Sequence, residues 1–531
     1  MTLKWILLVF MVLISSCIDK ASNTERLLKH FICNQEEKAK LIHKKMNEAI
    51  WLTYTDPVKS DSLSHYYQSI QRREGALQEL RSGIGHLYSD FSEYKFLKGV
   101  QASGVVKNKI LTRQADKILE LYEDSRFGHD SLELAKSQFH QHCLSKCPVR
   151  YDDRDWRQND SIFTKYKTHI GEIHQELRQL LTAYNGFAKK VGYANYLELI
   201  LHRHQIDTVQ YQNMLIQIEQ ITRLDYLELK QCAERFWMDS LHLTASELNL
   251  LHYNHYFSRL RKPVNWNFNY SKAEIEKRMA DFFKDFNFDL TVFGDQCIFR
   301  NVTAMPRQVL VLNCDNYYDI RGYCNMPYNT DGLLLFLREC SYAVAAHSVD
   351  ESVPYFLREP NALLVESVTT YFENLPFQSG QKRIKLGLPA PEFDSRLSFS
   401  NPWFLFNLRN VMIMAEMEQE MYRNPNRNLT ELFWQKVEKY LCISVPDHQR
   451  HAEWVKNDRL LTLDGANQLS LYGMVLAAQY YHESHNAIGF SKNFSNRIFK
   501  HGDDRPWYEM VEQICGESLN PAYLPTFYKK R

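Results

Sequence analysis

Glycine and proline are scarce along this chain, and this scarcity is the strongest constraint on its fold. The 531 residues include only 19 glycines and 16 prolines, whereas the two residues together make up about 12% of an average protein. Because both residues end or weaken helices, their scarcity favours an all-α fold. Aromatic residues make up 13% of the chain and can fill a large core.

Helical periodicity recurs along almost the whole chain. Apolar residues return at helical spacing, which predicts helices over 25–53, 61–98, 107–141, 160–201, 207–239, 272–286, 330–347, 360–375, 402–423, 429–442 and 465–488. Gln308–Leu312 predicts one short β element instead. The helix that begins near residue 330 has Thr330 or Asp331 as its expected N-cap. No strong linker divides residues 25–531, so we expect one large domain there.

The charge balance excludes one class of partner. The chain carries 64 Lys and Arg residues against 63 Asp and Glu residues. A protein that binds nucleic acid or an anionic membrane surface through its charge needs a basic surplus. We therefore expect no nucleic-acid partner and no electrostatic attachment to a membrane.

Residues 1–17 have the features of an export signal. Lys4 provides a positive charge, and Trp5–Ile14 is an apolar run too short to persist as a spanning helix. The run ends in Ile-Ser-Ser-Cys17, which resembles a bacterial lipobox, so we expect Cys17 to be lipidated and followed by a linker over 18–24. The protein would then be exported and held at the cell-envelope membrane by its lipid anchor. An ordinary secretory signal, which would release a secreted protein, is the alternative.

The stretch Arg338-Glu339-Cys340-Ser341-Tyr342 carries the strongest functional signal. Zinc peptidases of the HExxH type hold the metal with two histidines one helical turn apart and with a third ligand from elsewhere. The glutamate after the first histidine activates the metal-bound water. Here Glu339 has the position of that glutamate, and Glu366 on the next predicted helix has the position of the third ligand. Arg338 and Tyr342 stand where the histidines would be.

Five further segments resemble the angiotensin-converting enzyme family, in the order in which that family carries them, over most of residues 25–531. They are Met46–Trp51, Phe187–Glu198, Pro354–Asn361, Tyr480–Glu483 and Phe499–Trp507. The resemblance implies an all-α fold, with a large two-lobed helical domain, a deep central cleft and a very short β element. It also implies descent from zinc peptidyl-dipeptidases, since active members of the family hold zinc.

The same resemblance identifies departures from an active site. The family's transition-state-stabilising histidine falls at Leu461 and its tyrosine at Leu471, with Tyr472 one residue away. An arginine that helps to hold chloride in some relatives becomes Ser470. Arg459 is the expected remnant of the lysine that binds the substrate carboxylate.

Cysteine spacing suggests disulfides in an exported protein. Among 11 cysteines, two pairs are close in sequence, Cys143 with Cys147 and Cys314 with Cys324. The first pair, with His140 and His142, is compatible with a metal cluster as well as with a loop disulfide. The angiotensin-converting enzyme family commonly has a disulfide around a longer version of the loop of the second pair, which implies a bridge there.

The combined losses predict a catalytically inactive homologue. We expect no zinc and no other cofactor, with Arg338, Tyr342 and Glu366 as vestigial ligand positions and Glu339 as the vestigial general base. The cleft would bind oligopeptides or a protein partner. Two alternatives remain open, namely an active zinc metallopeptidase that releases C-terminal dipeptides and a structural cell-envelope lipoprotein.

The sequence also predicts an unfavourable pair of carboxylates at the site if no metal is bound. Glu339 and Glu366 would face each other without a dication between them, which is unfavourable for like charges. We therefore expect Arg338 to form a charge-assisted pair with Glu366 at about 2.7–2.9 Å; the alternative is that Arg338 turns into the cleft. A substitute zinc site at His482 and His485 is a further alternative.

Overall fold

Helices dominate the computed structural model of the chain. It describes residues 2–55, 91–104, 106–128, 159–261, 263–288, 297–300, 308–315, 319–393, 397–445, 450–486 and 497–530, with a few isolated residues between these ranges, and the side chains of most of these residues from 23 onward. The predicted all-α class with a very short β element is confirmed.

The helices of the described ranges occur from the start of the chain almost to its end. In chain order they are α1 Thr2–Thr55, α2 Phe91–Ser103, α3 Lys109–Phe127, α4 Asn159–Lys190, α5 Tyr196–Arg203, α6 Thr208–Leu241, α7 Leu250–Arg259, α8 Lys272–Phe283, α9 Thr330–His347, α10 Ala362–Gln378, α11 Gly380–Lys385, α12 Pro402–Arg423, α13 Leu429–Leu441, α14 Asp458–Leu461, α15 Ala466–Asn486, α16 Trp507–Cys515 and α17 Leu524–Tyr528. In the part of the chain that the structure describes, none of the helices has an apolar stretch sufficient to cross a bilayer.

The β element is a three-stranded sheet placed just before α9. Its strands are β1 Cys297–Arg300, β2 Gln308–Asp315 and β3 Asp319–Asn325, in the order β1-β3-β2. β3 lies parallel to β1 and antiparallel to β2. The sequence predicted only the first part of β2.

The N-terminal helix α1 runs through the segment predicted to be a linker. Residues 18–24 continue the helix because no glycine or proline occurs between residues 2 and 55 to end it. The segment is therefore helical, and its role as a linker stays a prediction. The roles assigned to residues 1–17 and 25–531 stay predictions.

Most apolar side chains belong to one large core in which α10 packs against both α9 and α15. Leu337, Val368 and Val475 are fully buried there, one from each of these three helices. A second, smaller cluster joins α1, α2 and α3 through residues such as Leu28 and Ile118. The predicted division into two lobes around a deep cleft stays a prediction.

Asparagine side chains begin the two helices that carry the site residues. Asn329, rather than the expected Thr330 or Asp331, is the N-cap of α9 and accepts a hydrogen bond from the backbone N–H of Gly332. Asn361 caps α10 by accepting from the N–H of Leu363. Both caps satisfy N–H groups that would otherwise lack a helical partner.

Gly473 lets α15 approach α10 at the site. A Cβ atom at this position would lie 2.9 Å from the Glu366 Cγ and 3.1 Å from the Glu366 carbonyl carbon. These distances are shorter than a normal van der Waals contact. Glycine at this crossing is therefore a packing requirement.

We expect Gly473→Ala to lower the free energy of unfolding by about 1–3 kcal/mol, because the added methyl group overpacks the helix crossing. Urea unfolding measures the change. Gly186→Ala on α4 is the matched control, since a Cβ there has no atom within 4 Å and should stabilise the helix by up to about 1 kcal/mol. Equal effects of the two substitutions would contradict this account of the crossing.

Candidate functional site

The structure brings together the site residues that lie far apart in the sequence. Arg338 and Glu339 lie on α9, Glu366 on α10, Arg459 on α14 and Ser470 on α15. All five belong to one network of charged and polar side chains, which lies where the three packed helices meet.

Arg338 has a different principal partner from the one expected. Its Nη1 donates a hydrogen bond to the Glu373 Oε2 at 2.9 Å. Its Nη2 is 3.8 Å from the Glu366 Oε2, and its Nε is 3.7 Å from the Glu339 Oε1. The predicted short pair with Glu366 is therefore wrong, although Arg338 does turn toward the carboxylates.

Glu373 is the site residue that sequence reasoning missed. It lies seven residues after Glu366 on α10, a spacing that puts both side chains on the same face of a helix. That spacing was the signal available in the sequence. Glu373 accepts the hydrogen bond from Arg338, because Glu366 already accepts hydrogen bonds from two closer donors.

Those donors are Arg459 and Ser470. The Arg459 Nη1 and the Ser470 Oγ each donate to the Glu366 Oε1 at 2.8 Å. Burial acts to raise the pKa of Glu366, but the guanidinium groups of Arg459 and Arg338 outweigh it and hold the pKa below its ordinary value. Arg459 thus binds a carboxylate of the protein itself, and its role in binding a substrate carboxylate stays a prediction.

Glu339 occupies the helix position that the sequence assigned to a general base. Burial raises its pKa, and the neighbouring Arg338 only partly opposes this effect. Its side chain is 33% exposed. Glu339 is therefore a half-buried carboxyl that is more easily protonated than an ordinary glutamate.

Tyr342, at the second histidine position, points elsewhere. Its hydroxyl donates to the Glu359 Oε1 at 3.3 Å. The charge of Glu359 and burial both raise the pKa of the phenol, so it stays neutral. A neutral phenol that is engaged as a donor is a poor metal ligand.

The residues present do not fit a zinc ion. A guanidinium has no lone pair to offer a metal, so Arg338 leaves the first ligand position without a donor atom. Within the described ranges, no group of three or more His, Cys, Asp or Glu side chains is arranged to hold a metal. His482 stacks on Tyr523 with ring centroids 4.2 Å apart, and the side chain of His485 lies outside the described part.

Leu461 and Leu471 are the positions at which the sequence resemblance expected side chains that stabilise a transition state, and both are apolar and buried. Leu461 and Leu471 are 2% and 0% exposed and belong to the large core. Tyr472 stacks on Tyr211 and meets Trp507 edge to face. The two leucines pack in the core and have no donor that could stabilise an oxyanion.

The β-sheet register is unfavourable for the disulfide expected between Cys314 and Cys324. Cys324 is buried on β3 opposite Val309, while Cys314 lies between Asn313 and Asp315 near the far end of the ladder. A strand rises about 3.4 Å per residue, whereas the Cα atoms of bridged cysteines are usually about 4.4–6.8 Å apart. The Cys314 side chain lies outside the described part, so the bridge stays a prediction. The same holds for Cys17, Cys143, Cys147, His140 and His142.

Solved structures that resemble this fold include several peptidases. The M32 carboxypeptidase from Deinococcus radiodurans R1 matches with a TM-score of 0.63 over 94% of this chain and 98% of its own, at 13% identity. A carboxypeptidase from Pyrococcus furiosus matches with a TM-score of 0.61 over 94% and 97%, at 13% identity. Metallocarboxypeptidase 1 from Trypanosoma cruzi matches with a TM-score of 0.63 over 93% and 99%, at 12% identity.

These likenesses define the class of fold. No protein-family model and no curated protein matches the sequence. At 12–13% identity the structural likeness shows the fold alone. The chain has a helical metallopeptidase fold, and the comparison does not single out the angiotensin-converting enzyme family.

Neutralising Glu366 and neutralising Glu339 should change the free energy of unfolding in opposite directions. Glu366→Gln should lower the free energy of unfolding at pH about 7, because the folded protein favours the ionised form of Glu366. The stability that this ionised form contributes is present above the unfolded pKa of about 4.3 and is lost as pH falls through the folded pKa. Glu339→Gln should raise the free energy of unfolding at pH about 7. The raised pKa of Glu339 means that its ionised form, which is present above about pH 4.3, destabilises the folded protein. Urea unfolding of both variants measures the signs.

The two variants control for each other, since each removes one charge from the same network. At pH about 3.5 the effect of Glu339→Gln should disappear and that of Glu366→Gln should shrink, because protonation then neutralises these groups in the parent protein as well. Changes of the same sign at pH about 7 would contradict the electrostatic account.

Proposed function

We propose that this protein is a catalytically inactive homologue of a helical metallopeptidase. The observation that carries the proposal is the environment of Arg338, whose guanidinium is hydrogen bonded to Glu373 where a metal-binding histidine would stand. A permanent cation at a ligand position opposes the binding of a dication. Tyr342, at the other histidine position, is engaged with Glu359.

The angiotensin-converting enzyme family is our proposal for the finer ancestry. Its support is the ordered set of five sequence segments together with the helical metallopeptidase fold. The structural relatives are titled carboxypeptidases. A test of activity must therefore cover the release of single C-terminal residues as well as of dipeptides.

The proposed role of the site is binding of oligopeptides or of a protein partner. Glu339 and Glu373 have side chains that are 33% and 35% exposed, so their carboxylates can accept hydrogen bonds from a ligand. Arg459 contributes less than in the ancestral site, because a ligand carboxylate would compete with Glu366 for its guanidinium. Saturable peptide binding would distinguish this role from that of a purely structural envelope protein.

The second candidate is an active zinc metallopeptidase, which the fold by itself favours. We expect purified protein to contain no stoichiometric zinc, because two of the three ligand positions hold Arg338 and Tyr342. We also expect no chelator-sensitive hydrolysis of a blocked tripeptide or of a carboxypeptidase substrate. Metal analysis and a peptidase assay with and without added zinc are the measurements.

The double variant Arg338→His/Tyr342→His is the matched comparison. It should gain zinc binding, which equilibrium dialysis can measure without reference to activity, but little turnover, since Leu461 and Leu471 leave the transition state unsupported. Activity of the parent protein that is lost with chelator and regained with zinc would overturn the proposal.

We further propose that the protein is an exported lipoprotein anchored through Cys17. The mature chain should then begin at Cys17 and enter the detergent phase on phase separation, because an acyl chain adds apolar surface. Cys17→Ser should abolish the partitioning, whereas Cys33→Ser, at an exposed cysteine of α1, should not. A mature N-terminus beyond residue 17 in a water-soluble protein would contradict the anchor.

A further inference from the structure

A glutamate on α12 is buried in the core without a cation to offset its charge. The side chain of Glu418 is fully buried. It accepts two hydrogen bonds, one from the backbone N–H of Gly465 at 3.1 Å and one from the Asn467 Nδ2 at 3.3 Å. Among the residues that the structure describes, no lysine, arginine or histidine forms an ion pair with it. An ionised carboxylate in such a place is costly, because neutral donors only partly replace water.

The groups that face Glu418 oppose its ionisation. The connection between α14 and α15, residues 462–465, contributes the carboxylate of Asp464, which the Thr462 hydroxyl holds at 2.7 Å. The phenols that face it are Tyr211 of α6 and Tyr422 of α12 itself, with Tyr184 of α4 and Tyr196 of α5 next to Tyr422. Burial, with a smaller contribution from the charge of Asp464, raises the pKa of Glu418 to about 8. Glu418 is therefore neutral at pH about 7 and below.

The two hydrogen bonds join Glu418 to a connection with a strained backbone. Leu463 has a φ of 54° and Gly465 a φ of 74°, and this left-handed region is unfavourable for a leucine. Tyr422, one turn after Glu418 on α12, donates a hydrogen bond to the Leu463 carbonyl oxygen at 2.9 Å. α12 therefore holds the connection at two points.

The same connection links the two side chains that bind Glu366 in the candidate site. Arg459 on α14 and Ser470 on α15 each donate to the Glu366 Oε1 at 2.8 Å. Arg459 lies three residues before the connection and Ser470 five residues after it. The position of the connection therefore affects where both donors lie relative to Glu366.

We propose that Glu418 is a protonation-dependent anchor, which holds the α14–α15 connection while it is neutral and releases it on ionisation. Opening of the connection admits water to the ionised carboxylate and separates it from Asp464, which removes the cost of a charge in the core. Opening also loosens the hold of Arg459 on Glu366, so that the Arg459 guanidinium can bind a ligand carboxylate. This last step rests on the binding role proposed for the site, whereas the anchor itself does not.

Rising pH favours the open form within a defined range. In the closed form Glu418 stays neutral up to about pH 8, whereas a glutamate in water ionises above about pH 4.3. Opening therefore releases one proton between these two values, and the open fraction should rise by about tenfold per pH unit there. Below about pH 4.3 and above about pH 8 both forms hold the same number of protons, so the dependence ends.

Hydrogen exchange of the full chain, followed by mass spectrometry, tests the anchor. The protection factors of amides in residues 459–470, corrected for the intrinsic pH dependence of exchange, should fall by about tenfold per pH unit between about pH 5.5 and 7.5. In Glu418→Gln, which has a similar shape and no charge, they should not depend on pH. Glu416→Gln is the matched control, because Glu416 lies on the same helix and already pairs with Lys436 and Lys439. This variant should keep the wild-type dependence.

Two further measurements test the parts of the device separately. Tyr422→Phe removes the second hold on the connection, so it should lower the protection factors by up to about tenfold at every pH and leave their pH dependence unchanged. Phenylglyoxal, which modifies arginine, should react several-fold faster with Arg459 in the wild type than in Glu418→Gln at pH about 8. Peptide mapping identifies the modified residue.

Three outcomes would overturn the anchor. The first is a wild-type connection whose protection factors do not depend on pH, and the second is the same dependence in Glu418→Gln as in the wild type. The third is an equal fall at amides throughout the chain, which would mean that Glu418 ionises only when the whole protein unfolds. Equal modification of Arg459 in both proteins would overturn its link to the site. None of these measurements uses a peptide ligand, so a failure of the proposed binding role would not affect them.

Discussion

The ion-pair network at the meeting point of α9, α10 and α15 is the constraint on which the site depends. Three glutamates lie close together there, and in a metallopeptidase of this class a metal ion would offset part of their charge. Here the guanidinium groups of Arg338 and Arg459 do so, with closest contacts of 2.9 Å to Glu373 and 2.8 Å to Glu366. A cluster of carboxylates without these cations would push the helices apart.

The packing around the network does not depend on a metal. The packing of α10 against α9 and α15 uses buried apolar side chains and the close approach at Gly473, and neither requires a metal. Ion pairs of this kind barely offset their own desolvation. Their role is therefore to make the polar site compatible with the fold, while the apolar core supplies the stability.

Sequence reasoning predicted the fold class because a shortage of glycine and proline and a helical apolar period are local properties. Sequence reasoning missed β1 and β3. The segment Asp319–Asn325 of β3 has no alternating apolar pattern, and it becomes a strand through pairing with β1 and β2. It also predicted a linker over 18–24, where α1 continues. Composition alone did not distinguish a polar helix from a polar linker.

The sequence by itself determined four of the charged groups of the site, since the identities of Arg338, Glu339, Glu366 and Arg459 can be read directly from it. Only the tertiary structure decided how they pair. Arg459 binds Glu366, and Arg338 therefore turns to Glu373, because a hydrogen bond depends on atomic distances between helices that are remote in sequence. Such distances follow from helix packing, which no local pattern of residues records.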